Sequence, residues 1–275
     1  MIYSLKIFSV ISVLFFVELF NPKVEHYTYK FQITGTKQLQ VGEDLTYEVS
    51  YLFLKLGVVR TVVKSKKIFD GITYYDAVAY IDSYPGIPFV NLHQIYETML
   101  LPDYFSKYFH GIVKYDNYSS YTNYYFNYKK SEIKIIKGRV FPPQIWTDST
   151  TTANTEYQDG LSILFYTRMN TGKDTSVNLP CFVNEKKVYT HINFYKNVVP
   201  ISIDAVNYKI SSVKIDGTTN FISIFGLTGH FEGWFSNDDA AIPLLAKMKV
   251  IIGNVTLELK KWNRKGWIPP EYAKN

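Results

Sequence analysis

Two adjacent acidic residues near the C-terminus, Asp238 and Asp239, are the first candidates for chemistry in this sequence. Glycoside hydrolysis needs two carboxylates that face each other across the substrate, whereas neighbours in a strand point to opposite faces. Asn237 precedes the pair, and Asn and Asp are typical turn residues because their side chains bond nearby backbone amides. The pattern therefore predicts a turn between two strands.

Ser162 is the serine most reminiscent of a hydrolase nucleophile, since it begins a predicted helix in the segment DGLSIL. That segment lacks the Gly-x-Ser-x-Gly turn that exposes a nucleophilic serine. A serine at the start of a helix more commonly bonds the terminal backbone groups. A hydrolase is kept as an alternative that would require His230 to meet a carboxylate and Ser162 in one cleft.

Residue types that bind metals are dispersed along the chain. There is no His-Glu-x-x-His motif and no cysteine pair, and the histidines are isolated: His26, His93, His110, His191 and His230. The glycines after residue 225 do not have the spacing of a phosphate-binding loop. We therefore predict no metal, no cofactor and no enzymatic activity, and the single Cys181 excludes an internal disulfide.

Arg168 is harder to assign. It belongs to the segment DGLSILFYTRMNTG, which predicts a helix over roughly 160–169 with Asp159 as its cap and an apolar stripe formed by Leu161, Leu164, Phe165 and Met169. An arginine beside this stripe that points inward must be paired, with Asp159, Glu232 or the anionic head group of a ligand. It could instead lie over aromatic rings or close the helix C-terminus.

The composition favours β-structure. Aromatic residues make up 17% of the 275 residues, including 24 tyrosines and 19 phenylalanines, and such side chains pack well on a pleated surface. The formal net charge is +6, but the lysines are scattered along the chain and there is no arginine-rich run or known nucleic-acid-binding motif. We therefore predict no nucleic-acid partner.

Alternating apolar residues and turn signals predict a series of strands, the first three roughly Asp44–Leu54, Gly57–Phe69 and Ile72–Ser83. Gly57 and Asp70-Gly71 are the predicted turns between them, and Asp-Gly is a strong hairpin signal because both turn positions favour positive φ. The stretch FPPQIWTDSTTTANTEYQ predicts a surface loop. The resulting fold class is mainly β, a single curved antiparallel sheet or half-open β-barrel with one short helix packed against the concave face.

The first residues have the anatomy of a signal peptide. Lys6 is followed by an apolar run from Ile7 to Val17 that resumes after Glu18, and the run is shorter than the roughly 20 residues of a membrane span. We predict a signal peptide over residues 1–22 and a single β-rich exported domain over 23–275, with no transmembrane span in the mature chain. No small-residue motif marks the cut site, so an uncleaved anchor is the alternative.

Three segments together resemble the bacterial exported family called domain of unknown function 3108. The first is VGEDLTYEVSYLFLKLG and the second is DGLSILFYTR. The third resembles the family's C-terminal strand, acidic turn, proline and glycine through Trp234, Ser236, Asp238, Asp239, Pro243 and Gly253. The sequence departs from the family at Gly160, where proline is common, and at Ala240-Ala241, where basic residues are usual.

The resemblance implies no activity, because the family has none assigned. The pattern is also similar to lipoprotein-carrier folds, in which a curved half-barrel holds acyl chains under helices, but fold alone does not fix function. A location in the periplasm or outer envelope of a bacterium is what the resemblance implies.

The leading hypothesis is a non-enzymatic cell-envelope protein that binds a lipid or other amphipathic small molecule in a half-barrel cavity, with an envelope protein as a further candidate partner. The residues expected at this site are Arg168, Tyr166, Phe165, Leu161, Trp234 and Glu232. The alternative from another class is a carbohydrate or cell-wall binding module with exposed stacking rings at Tyr118, Tyr121, Tyr124 and Tyr125.

Overall fold

The structure is a computed structural model that describes residues 37–87, 91–224, 226–250 and 253–273. The predicted signal segment, residues 1–22, lies outside these ranges. The described elements are, in chain order, β1 Asp44–Tyr51, β2 Leu54–Phe69, β3 Ile72–Ser83, β4 His93–Leu100, β5 Ser106–Lys114, β6 Ser119–Asn127, β7 Glu132–Arg139, β8 Gln144–Thr152, α1 Ser162–Asn170, β9 Thr175–Val183, β10 Lys186–Ile201, β11 Ile210–Thr219, β12 Leu227–Ser236, β13 Pro243–Val250 and β14 Gly253–Asn263. Within the described ranges, no helix is long and apolar enough to cross a membrane.

All fourteen strands form one antiparallel sheet with the spatial order β8-β7-β6-β5-β4-β3-β2-β1-β14-β13-β12-β11-β10-β9. Strands β1 to β8 form one meander, β9 to β14 form another, and pairing of β1 with β14 joins the two. The strands β8 and β9 are the edges, so the sheet is not closed. The prediction of a mainly β chain, with one curved antiparallel sheet and one short helix, is confirmed.

Successive connections lie alternately at two ends of the sheet, because each strand runs antiparallel to its neighbours. We call the end that carries the connections after β1, β3, β5, β7, β9 and β11 the tip end. The opposite end, with the connections after β2, β4, β6 and β10, is the base end. This division decides which turns surround the same opening.

Helix α1 packs against the concave face of the sheet. Leu161, Phe165, Tyr166 and Met169 are buried in one core with the inward-facing side chains of the strands. The Tyr166 ring meets the Phe105 ring edge-on, with 5.4 Å between the ring centroids. The helix has nine residues and therefore covers only part of the concave face.

The start of α1 is held by Asp159 and Ser162. The Asp159 carboxylate accepts hydrogen bonds from the amides of Leu161 and Ser162, and the Ser162 hydroxyl accepts one from the Asp159 amide. These reciprocal bonds resemble those of a capping box, but the N-cap residue of α1 is Leu161, so Asp159 acts two residues before the N-cap position rather than at it, as was predicted. The other carboxylate oxygen accepts hydrogen bonds of 2.6 Å from the hydroxyls of Thr98 and Ser106, which fixes the helix start to β4 and β5.

The segment that precedes α1 partly fills the gap between the two edges of the sheet. The amide of Ser106 donates a hydrogen bond to the Tyr157 carbonyl, and the amide of Phe182 donates one of 2.7 Å to the Gln158 carbonyl. Gln158 also forms an isolated parallel bridge with Cys181 of β9. Besides the ladder between β1 and β14, this segment is therefore a second connection between the two arms of the sheet, which are β1 to β8 and β9 to β14.

The prediction of a surface loop in FPPQIWTDSTTTANTEYQ is wrong for half of that stretch, because residues 144–152 form β8. Strand β8 is an edge strand whose residues are exposed on both faces, with only Thr147 and Thr151 half-buried. Alternation of apolar and polar residues predicts a strand that buries one face, and a strand that buries neither face does not need it. Its threonines nevertheless favour extended backbone.

Candidate functional site

A cavity of about 700 Å³ lies inside the curved sheet. Most of its lining is apolar or aromatic and comes from β1 to β6 and β14, with residues 182–185 and 222–224 on the opposite side. Leu92, Tyr115, Trp146 and Ile222 belong to the lining and are exposed to solvent. These four residues lie in or beside connections of the tip end. The cavity therefore opens at that end.

One wall of this cavity is a row of stacked aromatic rings. The rings of Tyr96 and Phe109 are 5.9 Å apart between centroids, and those of Phe109 and Tyr124 are 5.3 Å apart, both stacked at 20°. Phe182 of β9 meets Tyr124 edge-on at 5.0 Å. Contacts between aromatic rings at these distances are favourable beyond the burial of their area, so they stabilise this wall.

A charged pair crosses the cavity wall near its opening. Glu185 lies in the two-residue turn after β9, and its carboxylate accepts hydrogen bonds of 2.9 Å from Lys137 Nζ and 2.6 Å from the Tyr124 hydroxyl. Burial and the bond to Glu185 raise the pKa of Tyr124, so this phenol stays a donor. The pair links β6 and β7 of one arm to the edge of the other arm.

A second cavity, of about 160 Å³, lies between α1 and the sheet. Ile163, Leu164 and Thr167 of the helix form one side, and the two cavities share Val59, Gly160, Val183, Ser223 and Leu257. Tyr47 also lines the smaller cavity, and its hydroxyl is buried without a hydrogen-bond partner among the described residues. A buried hydroxyl left unbonded in this way is a polar anchor within otherwise apolar walls.

Arg168 points inward, as expected, and its partner is Glu43. One guanidinium nitrogen lies 2.8 Å from Glu43 Oε2, a second one bonds Glu43 Oε1, and the Ala240 carbonyl accepts from Arg168 Nε at 2.9 Å. Arg264 donates to the same Glu43 carboxylate from the opposite side. The partners predicted for Arg168 were Asp159, Glu232 or a ligand, and this prediction is wrong because Arg168 pairs with Glu43, 125 residues away in sequence.

The buried carboxylate of Glu43 is stabilised in its charged form. Burial alone would favour the neutral acid, but the guanidinium groups of Arg168 and Arg264 hold the pKa of Glu43 below its usual range. Arg168 is 1% exposed and fully paired. The network joins the end of α1 to the start of β1 and to the turn before β13.

The other expected site residues lie in three different environments. Leu161, Phe165 and Tyr166 are buried between helix and sheet and are not part of the lining of either cavity described above. Trp234 is on the outer face of β12, where the ammonium groups of Lys214 and Lys247 lie over its ring. Glu232 contributes to the wall of the smaller cavity, but its carboxylate binds Lys214.

The four tyrosines expected to form a stacking platform do not share one surface. Tyr124 is buried in the aromatic wall, whereas Tyr125 is exposed on the opposite face of β6. Tyr118 stacks on Tyr115 with 4.7 Å between centroids, and Trp146 meets Tyr118 edge-on at 6.1 Å. The exposed rings at the tip end are therefore a different set from the predicted one.

The structure also locates the residues considered for catalysis. Asp238 Oδ1 accepts hydrogen bonds from the amides of Ala240 and Ala241, which confirms the predicted turn. Ser162 is fully buried, whereas His230 is exposed, so the two do not share a cleft. In the part of the chain that the structure describes, no group of three or more His, Cys, Asp or Glu residues could hold a metal ion.

Gly160 lies where the two cavities meet. A Cβ atom at this position would be 2.4 Å from Cγ2 of Ile224, which is too close for two carbon atoms. Ile224 thus occupies the space that a side chain at position 160 would need. This contact gives a physical reason for the glycine at a position where the resembling family commonly has proline.

Replacement of Arg168 by methionine should lower the free energy of unfolding by about 3–5 kcal/mol, because it leaves Glu43 buried with only one cation. Arg60→Met, which breaks the exposed pair with Asp44, should cost less than about 1 kcal/mol. Urea unfolding at pH 7 measures both. Equal losses in the two variants would contradict the role assigned to the buried network.

The same network predicts a pH dependence. Because the pKa of Glu43 is lowered on folding, its contribution is fully present above the ordinary glutamate pKa of about 4.3 and is lost as the pH falls through the lower, folded value. Arg168→Met should therefore show a shallower loss of stability on acidification than the wild type. Unfolding midpoints measured between pH 3 and pH 7 test this.

Gly160→Ala should destabilise the protein by about 1–3 kcal/mol, because the new methyl group overlaps Ile224. Ile224→Ala removes the overlapping atom, so the double variant should be more stable than the sum of the single effects predicts. A coupling of about 0.5–3 kcal/mol is expected from the four unfolding curves. Strict additivity would show that Ile224 does not limit position 160.

Solved structures of low sequence identity are similar to this chain. A β-barrel-like protein of the domain of unknown function DUF1849 from Brucella abortus has 11% identity and a TM-score of 0.46, and the match covers 81% of this chain and 97% of that one. A protein with a YmcC-like fold from Bacteroides fragilis has 10% identity and a TM-score of 0.34, over 83% of this chain and 98% of that one. Similarities at this level assign no function.

A search of curated proteins finds no match to this chain. The family described as "Protein of unknown function (DUF3108)" matches residues 46–260, which include all but the first two residues of β1 and the last three of β14. The match thus spans the strands that form both cavities and the helix between them. This chain belongs to the DUF3108 family.

Proposed function

We propose that this protein is an exported, non-enzymatic protein of the bacterial cell envelope that binds an apolar or amphipathic, lipid-like ligand inside the curved sheet. The observation that carries the proposal is the cavity of about 700 Å³ with mainly apolar walls and an opening at the tip end. This volume falls within the range of about 300–1,000 Å³ that is usual for small-molecule sites. Apolar walls favour a hydrocarbon chain, because its transfer from water is favourable by about 25 cal/mol per Å² buried.

The polar groups in the walls suggest how an amphipathic molecule would be oriented. Lys137, Glu185 and Tyr124 lie together beside the opening, where a polar head group could exchange hydrogen bonds with them. The smaller cavity lies beyond Gly160 and offers a deeper apolar space with the unbonded Tyr47 hydroxyl in its wall. A ligand with its head near Glu185 and its chain directed toward α1 would match this distribution of polar and apolar groups.

The residues expected from the sequence have a supporting part in this proposal. Arg168 fixes the end of α1 through Glu43, and Phe165 and Tyr166 anchor the helix in the core. The helix in turn presents Ile163 and Leu164 to the smaller cavity. Export is supported by the signal-like residues 1–22, and the absence of enzymatic activity by the engagement of Ser162 in the helix cap.

Carbohydrate binding is the second candidate, and the exposed rings at the opening favour it. Tyr115 and Tyr118 of the turn after β5 form a small aromatic cluster with Trp146 near the start of β8. The cluster is smaller than the platform expected from the sequence, since Tyr124 is buried. Binding to cell-wall oligosaccharides that is lost in Trp146→Ala, without any effect on acyl-chain binding, would support this candidate.

Leu257→Trp should block acyl-chain binding, because Leu257 lines both cavities and the larger indole would fill the space where they meet. We expect the affinity for a stearate that carries a fluorescent anthroyloxy group to fall at least about tenfold. Fluorescence titration of the purified protein measures the change.

The matched control is Thr256→Trp, which adds the same side chain one residue earlier on β14 and therefore on the other face of the sheet. This variant should bind the stearate as the wild type does. The proposal would be refuted if the wild type bound no acyl chain, or if both tryptophan variants bound it equally well.

A further inference from the structure

We infer that the tip end is a docking surface for a lipid bilayer, with the turns around the cavity opening inserted among the lipid head groups. This inference goes beyond the proposed function and stands on separate observations. They are the exposure of apolar residues on the turns, the unusual composition of one turn, and the charges that surround the turns.

Several turns of the tip end expose large apolar side chains to solvent. Phe53 is 95% exposed and Leu52 is 76% exposed in the turn after β1, and Phe141 is 78% exposed in the turn after β7. Tyr115, Tyr118, Ile145, Trp146 and Ile222 add exposed rings and aliphatic groups on or beside neighbouring connections. Scattered apolar residues are normal on a protein surface, but their repetition around one opening marks an interaction site.

The turn between β1 and β2 shows that this exposure is not a by-product of turn chemistry. Tyr51 pairs with Leu54, so Leu52 and Phe53 are the two residues of the turn, and the predicted turn at Gly57 is wrong because Gly57 pairs with Val49 inside β2. Leu52 has a φ of 54°, a conformation that is unfavourable for a bulky side chain and that such turns usually give to Asn or Gly. By contrast, both residues of the Asp70-Gly71 turn are suited to positive φ. In the Asn184-Glu185 turn, Asn184 is the residue suited to it.

Leu52 has an unfavourable turn conformation and its side chain is exposed to water, so burial within the chain does not explain an apolar residue at this position. Its presence is explained if the side chain is buried by something outside the chain. The base end offers the internal comparison, because Ile68 and Phe69 are about as exposed, at 70% and 69%, but belong to a single hairpin away from the cavity opening. Ile68 and Phe69 are therefore the matched control for substitutions at the tip end.

The occupant that fits these turns is a membrane surface. The exposed side chains combine aliphatic groups with tyrosine and tryptophan rings, the residue types that favour the boundary between lipid and water. Exposed Lys114, Lys186 and Lys187 lie on or next to the same turns and would attract anionic head groups. Turns that surround an opening can contact one flat surface together, and a lipid could then enter the cavity without crossing water.

A site-specific fluorescence experiment tests this surface directly. Cys181 is fully buried, so a cysteine introduced by Phe53→Cys is the accessible site for an environment-sensitive nitrobenzoxadiazole label. With vesicles of phosphatidylethanolamine and phosphatidylglycerol in a 3:1 ratio, the label at position 53 should shift its emission to the blue and gain intensity. The same label at Phe69→Cys should remain in water, and the full chain is used throughout.

A second measurement uses substitution in place of a label. Phe53→Ser with Phe141→Ser should reduce cosedimentation with the same vesicles at least about tenfold relative to Ile68→Ser with Phe69→Ser. Binding should also weaken in vesicles of phosphatidylcholine alone and at high salt. All variants retain residues 1–36, so any contribution of that segment to vesicle binding is common to them.

The inference is overturned if the label at position 53 stays in water while vesicles are added, or if the label at position 69 responds equally. A pull-down in which the Phe53 and Phe141 variants lose a protein partner, with no response to vesicles, would assign the tip end to that partner instead. Leu257→Trp should keep the response of the label at position 53. Failure of cavity binding and failure of membrane docking are therefore distinguishable.

Discussion

The constraint on which the rest of this structure depends is the length of its single sheet. Fourteen antiparallel strands cannot remain flat, because each strand is twisted relative to its neighbour, so the sheet curls and encloses a concave face. Among the described residues, a nine-residue helix and the segment before it cover part of that face. The part of the face that is not filled remains as two adjacent cavities, and their walls are mainly apolar because the inward-facing side chains of the strands line them.

Two buried carboxylates hold the helix in this interior, and they do so in opposite electrostatic conditions. Glu43 is matched by two guanidinium groups, so its pKa is lowered despite its burial. Asp159 receives hydrogen bonds from amides and hydroxyls but has no ion pair with any described residue, and burial raises its pKa. One end of the helix is thus fixed by charge and the other by hydrogen bonds from neutral donors.

The sequence predicts those features that depend on local chemistry. The Asp70-Gly71 turn, the bonds of Asp159 to the start of α1 and the acidic turn at Asp238 each follow from residue types within a few positions of one another. Strand β8 escaped prediction because an edge strand exposed on both faces has no apolar period. The pairing of Arg168 with Glu43 and the aromatic wall depend on the register of distant strands, for which one sequence contains no signal.

The bridge from Lys137 to Glu185 has a mechanical meaning. Between β8 and β9 there is no ladder of backbone hydrogen bonds, so the separation of the two arms near the opening is set by side-chain contacts such as this one. Side-chain contacts of a half-exposed ion pair can be broken and remade without unfolding a strand. The width of the opening can therefore change without breaking the backbone hydrogen bonds that hold the strands of the sheet together.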